Sequence, residues 1–169
     1  MRATEFLTEL FDKTVPYVWK EAKINATLVA EFNIGEFSYQ VLFRVVSGTR
    51  YEVAFLIEYN KPIKRGSKIH KVKQRSFNIT GTGNQYLVFT TVMKIIEDFL
   101  GKVKPTSLEW SADKDEDSRI SLYGSMLTRL ESRINRIGYE IAPRTGHALH
   151  GFDTAFMDFV IVKSLPPGY

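Results

Sequence analysis

Three groups of residues have the types and spacing to do chemistry. The first is Thr80-Gly81-Thr82-Gly83-Asn84. A strand running through Gly-x-Gly into a helix gathers unpaired backbone N–H groups at the positive end of the helix dipole, which is an anion site suited to a pyrophosphate. The glycines let a phosphate approach the backbone closely. The same pattern also serves a tight turn with unusual dihedrals. The second is Tyr123, within Ser118-Arg119-Ile120-Ser121-Leu122-Tyr123, two turns into a predicted helix. A phenol with an ordinary pKa near 10 keeps its proton at neutral pH and can give it to a leaving thiolate. A core aromatic with a bonded hydroxyl is the plainer alternative. The third is the stretch 61–75, KPIKRGSKIHKVKQR, with seven basic residues (Lys61, Lys64, Arg65, Lys68, Lys71, Lys73, Arg75) and no acid. The chain carries +4, so without this stretch the remainder is −3. A basic loop of this kind attracts phosphates, of a nucleic acid or of a nucleotide-like cofactor, or is a solvated connection.

Weaker groups accompany these. His147 and His150, three apart, stand near Asp153 without a clear companion ligand for a metal. Arg129, Arg133 and Arg136 make a basic stripe at helical spacing, which together with the Lys61–Arg75 loop suits a nucleic-acid or protein partner.

Hydropathy patterning supplies the elements that must position these residues. Phe6, Leu7, Leu10 and Phe11 predict a short N-terminal helix over 3–12, ended by Pro16. Period-two rows follow. The first is Ala26, Leu28, Ala30 and Phe32. The second is Phe37, Tyr39, Val41, Phe43 and Val45, and the third is Tyr51, Val53, Phe55, Ile57 and Tyr59. They predict three half-buried antiparallel strands, joined by turns at Gly35 and Gly48. After the basic loop, a strand over 76–80 enters the Gly-x-Gly turn. Val88, Val92, Ile95, Ile96 and Phe99 then mark one face of a helix over 84–101, closed by Gly101 and Pro105. Ser107–Ser111 predicts a short strand, 113–117 an acidic turn, and Tyr123, Met126, Leu127, Leu130, Ile134 and Ile137 the core face of a second long helix stopped by Gly138. Strands over 139–142 and 155–163 flank a loop at 143–153. This is one α+β domain over 1–169.

The chain has 169 residues, 44% hydrophobic and 25% charged, which suits a folded domain and excludes wholesale disorder. The absence of cysteine excludes disulfides, thiolate metal sites and cysteine nucleophiles. It fits a reducing compartment such as the cytoplasm. No apolar run approaches the roughly 18–20 residues of a membrane span, and Glu5, Glu9 and Asp12 do not suit a signal peptide.

Order and motifs together resemble the GNAT superfamily of N-acetyltransferases, over residues 75–142. Asn78-Ile79-Thr80-Gly81-Thr82-Gly83 stands where that family has Gln/Arg-x-x-Gly-x-Gly/Ala, and Leu122-Tyr123 where it has the Leu-Tyr pair of the general acid. Gly138-Tyr139 stands, late, for the family's Gly-Phe. The layout TGTGN…VFTTV…SR…LY also resembles small bacteriophage proteins, for which the host cytoplasm is the implied location. The resemblance implies a mixed, mostly antiparallel sheet flanked by two long helices and the short N-terminal one. It implies acetyl-CoA held by Thr80, Gly81, Thr82, Gly83 and Asn84, direct acetyl transfer to an amine, and Tyr123 as general acid. Glu109 is the candidate base within that scheme, its alternative being a solvent-facing strand residue. A retained fold without catalysis, contacting nucleic acid or a protein through its basic surface, is the other implied class.

Overall fold

The computed structural model describes residues 13–22, 27–66, 68–76, 84–113, 117–142 and 156–166. The expected N-terminal helix, strand 76–80 past its first residue, residues 80–83 of the glycine turn, most of the acidic turn and the 143–153 loop lie outside the described residues. Contacts divide the chain into two compact units, Met1–Phe43 with Ala54–Lys94, and Arg44–Val53 with Ile95–Tyr169.

In the first unit, β1 (Val18–Ala22), β2 (Thr27–Ile34) and β3 (Phe37–Ser47) pair antiparallel in that order, with Val18 opposite Glu31 and Leu28 opposite Phe43. The Gly35 turn forms as expected, at φ 59°. Ala30, Phe32, Tyr39, Val41 and Phe43 are buried at alternate positions, and Phe32 stacks on Tyr39 with centroids 5.0 Å apart. Val45, expected on the buried row, is exposed.

The stretch expected to be a basic loop is a β-hairpin. β4 (Arg50–Arg65) runs through Lys61 and Lys64, and β5 (Lys68–Ser76) returns antiparallel from Arg65↔Lys68 to Ile57↔Ser76. Gly66 opens the two-residue turn at φ 64°, a conformation glycine adopts freely.

Helix α1 (Gln85–Val103) was expected to bury one face, and Val88, Val92, Ile95, Ile96 and Phe99 are all buried. So are Thr90 and Thr91 on another side. The extended residues 13–15 account for that: Val15 N–H donates to Thr91 Oγ1 (3.1 Å), and Thr90 Oγ1 donates to the Lys13 carbonyl. The helix runs through Gly101 and ends at Lys104, which takes the left-handed conformation (φ 54°) ahead of Pro105.

In the second unit the strand order is β4, β6 (Ser107–Asp113), β8 (Phe156–Lys163), β7 (Tyr139–Ile141). β4 and β6 are parallel over Arg50–Glu52 and Ser107–Glu109, whereas β6–β8 and β8–β7 are antiparallel. Helix α2 (Asp117–Asn135) follows β6. Tyr51 packs edge-on to Phe99, and Trp110 edge-on to Tyr123. Tyr51 is register partner to Leu108, on the same side of β6 as Trp110, so both helices cover one face of these strands. Arg133 bridges to Glu97 at 2.6 Å, tying α2 to α1 and taking one member of the expected basic stripe. Tyr123, Met126, Leu127, Leu130 and Ile134 form the core face of α2, but Ile137 falls in the turn beyond it and is exposed. Gly138 (φ 84°) closes that turn. No described helix is long and apolar enough to cross a membrane.

Candidate functional site

Tyr123 stands on the second turn of α2, fixed by the core face that the sequence marks. Its ring meets Trp110 and Phe159 edge-on, at centroid distances of 6.3 and 5.4 Å, and Trp110 stacks on Phe159 at 6.0 Å. Tyr123 is 4% exposed. The aromatic-core alternative therefore describes its ring. A cavity of about 420 Å³ is lined by residues of α2, β7 and β8, among them Gly124, Leu127, Thr128, Glu131, Ile141 and Phe159; Tyr123 is not part of the lining. Gly124 follows Tyr123 in the chain, and Phe159 is the ring on which Tyr123 packs. The volume lies within the roughly 300–1,000 Å³ of small-molecule sites. Leu127, Ile141, Ala142, Phe159 and Val160 give it apolar lining, and the exposed Thr128 and Glu131 give it polar lining. Spacing alone does not reveal Thr128, Glu131, Ile141 and Phe159 as its lining, because they meet only when β7 and β8 are laid beside α2.

Glu109 corrects its solvent-facing alternative: it is 2% exposed, the only buried carboxylate among the described residues. Its Oε1 accepts from Arg50 Nε (3.2 Å) and Nη2 (2.9 Å) and from Ser107 Oγ (3.1 Å). Its Oε2 is buried with no hydrogen-bond partner among the described residues. A buried carboxylate needs such partners, since an isolated one is strongly disfavoured away from water. Arg50 and Ser107 were not singled out in the sequence: Arg50 is 59 residues away and meets Glu109 only through the parallel β4–β6 pair. Glu109 lies between Leu108 and Trp110 on the strand, so it faces the side opposite Trp110 and Tyr123. The structure does not bring Tyr123 and Glu109 to one face.

Of the expected phosphate-binding turn, Thr80, Gly81, Thr82 and Gly83 lie outside the described residues. Asn84 is described: it is exposed, and its carbonyl accepts from Val88 N–H (3.0 Å), so it occupies the N-cap position of α1. His147, His150 and Asp153 also lie outside, and among the described residues no group of three or more His, Asp or Glu is placed to hold a metal. Near the cavity, Tyr139 donates its phenol proton to the Pro105 carbonyl (2.8 Å), and burial raises its pKa above the usual 10.0.

Comparison with protein-family models, with curated proteins and with solved structures finds no match to this chain.

Proposed function

We propose that the protein is an acyl-CoA-dependent N-acetyltransferase, with Tyr123 as general acid. The observation that carries the reading is the cavity of about 420 Å³ along α2, lined by Gly124 and Phe159, the chain neighbour and the ring partner of Tyr123, on the helix where the resemblance to the GNAT superfamily sets the acid. The strand pattern supports it. A single parallel pair, β4 with β6, connects through α1 and is followed by helix α2 and an antiparallel β8–β7 edge, the kind of mixed, mostly antiparallel sheet that the resemblance implies.

In the proposed reaction the thioester supplies an activated acyl carbon. The acceptor nitrogen bonds to that carbon and the carbon–sulfur bond breaks. Tyr123 gives its phenol proton to the departing thiolate and regains one from solvent. The nitrogen loses its proton to water; Glu109, the base that the resemblance implies, faces the other side of β6 from Tyr123. The first-turn amides after Asn84, and those of Gly81–Gly83, would hold the pyrophosphate.

The test is Tyr123→Phe, which keeps the ring among Trp110 and Phe159 and removes only the hydroxyl. With acetyl-CoA and a panel of primary amines, kcat is expected to fall about 10²–10⁴-fold, the usual worth of a positioned acid, with KM for acetyl-CoA little changed. Unaltered kcat removes Tyr123 from the mechanism. A second reading, a catalytically inactive protein of the same fold, is favoured by the burial of Tyr123 and by the occupied Oε1 of Glu109. It predicts no turnover in either form.

A further inference from the structure

The cavity along α2 has a charge character of its own. Gly124, Leu127, Thr128 and Glu131 line it at i, i+3, i+4 and i+7, one stripe of that helix. The stripe flanks the core face of Tyr123, Leu130 and Ile134. Arg133 lies on the other flank, where it meets Glu97 of α1, and helical spacing turns Arg129 away from the stripe. Ile141 of β7 and Phe159 of β8 supply an apolar wall. Glu131 is the single ionisable side chain in the lining. The ion pairs among the described residues, Lys20–Glu31, Arg44–Glu52, Arg50–Glu109 and Arg133–Glu97, leave it out.

The polar side chains of the lining accept hydrogen bonds and have none to give. Thr128 Oγ1 donates its proton to the Gly124 carbonyl (3.0 Å), which leaves the oxygen its lone pairs. The Glu131 carboxylate is acceptor-only. On the strand side, Ala142 N–H is engaged by the Val160 carbonyl (3.0 Å). Thr128 and Glu131 stand three residues apart on the helix, so their side chains are neighbours. An occupant must therefore bring the donors. An ammonium carries three N–H bonds and no acceptor, and its charge answers Glu131. A carboxylate or phosphate would meet acceptors and a like charge.

From this lining we infer that the cavity takes a primary amine with an apolar body, its ammonium between Thr128 and Glu131 and its body against Leu127, Ile141 and Phe159. A volume of about 420 Å³ holds one aromatic ring with a short spacer. The same carboxylate repels the phosphates of CoA, so this cavity is not where the nucleotide part of the cofactor sits. The role of the amine rests on the acetyltransferase reading: there it is the acceptor, and the bound ammonium gives one proton to water before its nitrogen attacks. The binding itself requires no acyl transfer.

The experiment is isothermal titration of the full chain at neutral pH and low salt with phenethylamine, phenethyl alcohol and hydrocinnamate, which share a ring and a two-carbon spacer. The amine is expected to bind about two- to five-fold more tightly than the alcohol, the worth of one exposed charge pair, and the carboxylate more weakly than either. Glu131→Gln is expected to remove the preference for the amine. Thr128→Phe is expected to fill the cavity and abolish binding of the amine. Both positions are exposed, and the wild-type ranking decides the matter even if a variant fails to fold. The inference is overturned if the amine does not bind, if hydrocinnamate binds as tightly, or if either variant behaves as the wild type. Adding acetyl-CoA separates it from the reading on which it rests. An amine bound in the expected ranking but never acetylated removes the acetyltransferase and leaves the amine site standing. Acetylation with the same KM for the amine in Glu131→Gln keeps the acetyltransferase and overturns the amine site.

Discussion

At the scale of single residues, two buried polar groups dominate. Glu109 is held by Arg50 and Ser107 through one oxygen, while the other has no hydrogen-bond partner among the described residues. Glu109→Gln keeps the shape but removes the charge that Arg50 and Ser107 answer. Arg50 is half-exposed and can be solvated instead, so the expected loss is about 1–3 kcal/mol, read from the urea midpoint. No change in that midpoint would mean that the pair does not stabilise the fold. Tyr139 makes the second case. Its folded-state pKa is raised by burial, so the folded chain holds the phenol proton more tightly than the unfolded one. That contribution is complete below pH 10 and is lost as pH rises through the raised value. Tyr139→Phe should flatten the fall in stability above pH 10, and should lower stability at neutral pH by about 1 kcal/mol through the lost bond to the Pro105 carbonyl. Parallel stability–pH curves for the two proteins would contradict this.

At the scale of elements, strain and pattern tell different things. Lys104 ends α1 in a left-handed conformation that a side chain disfavours by about 1 kcal/mol or more. Lys104→Gly is therefore expected to raise the urea midpoint, and an equal or lower midpoint would show that the strain is compensated. The elements most legible in the sequence were those with one dry face: β2, β3, α1 and α2 follow the rows of Ala30–Phe32, Tyr39–Phe43, Val88–Phe99 and Tyr123–Ile134. β1 was missed because Tyr17, Val18 and Trp19 are apolar in succession and hide the alternation of the segment, in which Tyr17 and Trp19 are half-buried and Val18 is exposed. The β4–β5 hairpin was missed because Ile69 and Val72 fall on opposite faces and the lysines between them mask the period. Gly66-Ser67 was the available signal, a two-residue turn between equal runs. Ile137 kept the helical spacing but fell beyond the last turn, where Gly138 had already redirected the chain. At the site, Tyr123 and its helix were legible from spacing. The partners of Glu109 and the walls of the cavity were not, because strands far apart in sequence supply them.

At the scale of the whole molecule, charge is segregated: a hairpin with seven cations on a chain whose remainder is net negative. The central claim, however, is that the molecule binds a CoA thioester beside Tyr123. Thermal denaturation with and without CoA tests this before any acceptor is known. At 100 times the dissociation constant a ligand stabilises by about 2.7 kcal/mol, which for a chain of this length raises Tm by about 5–11 °C. A rise of that size, saturating with CoA and absent with adenosine alone, is the predicted result. An unchanged Tm at millimolar CoA would contradict it.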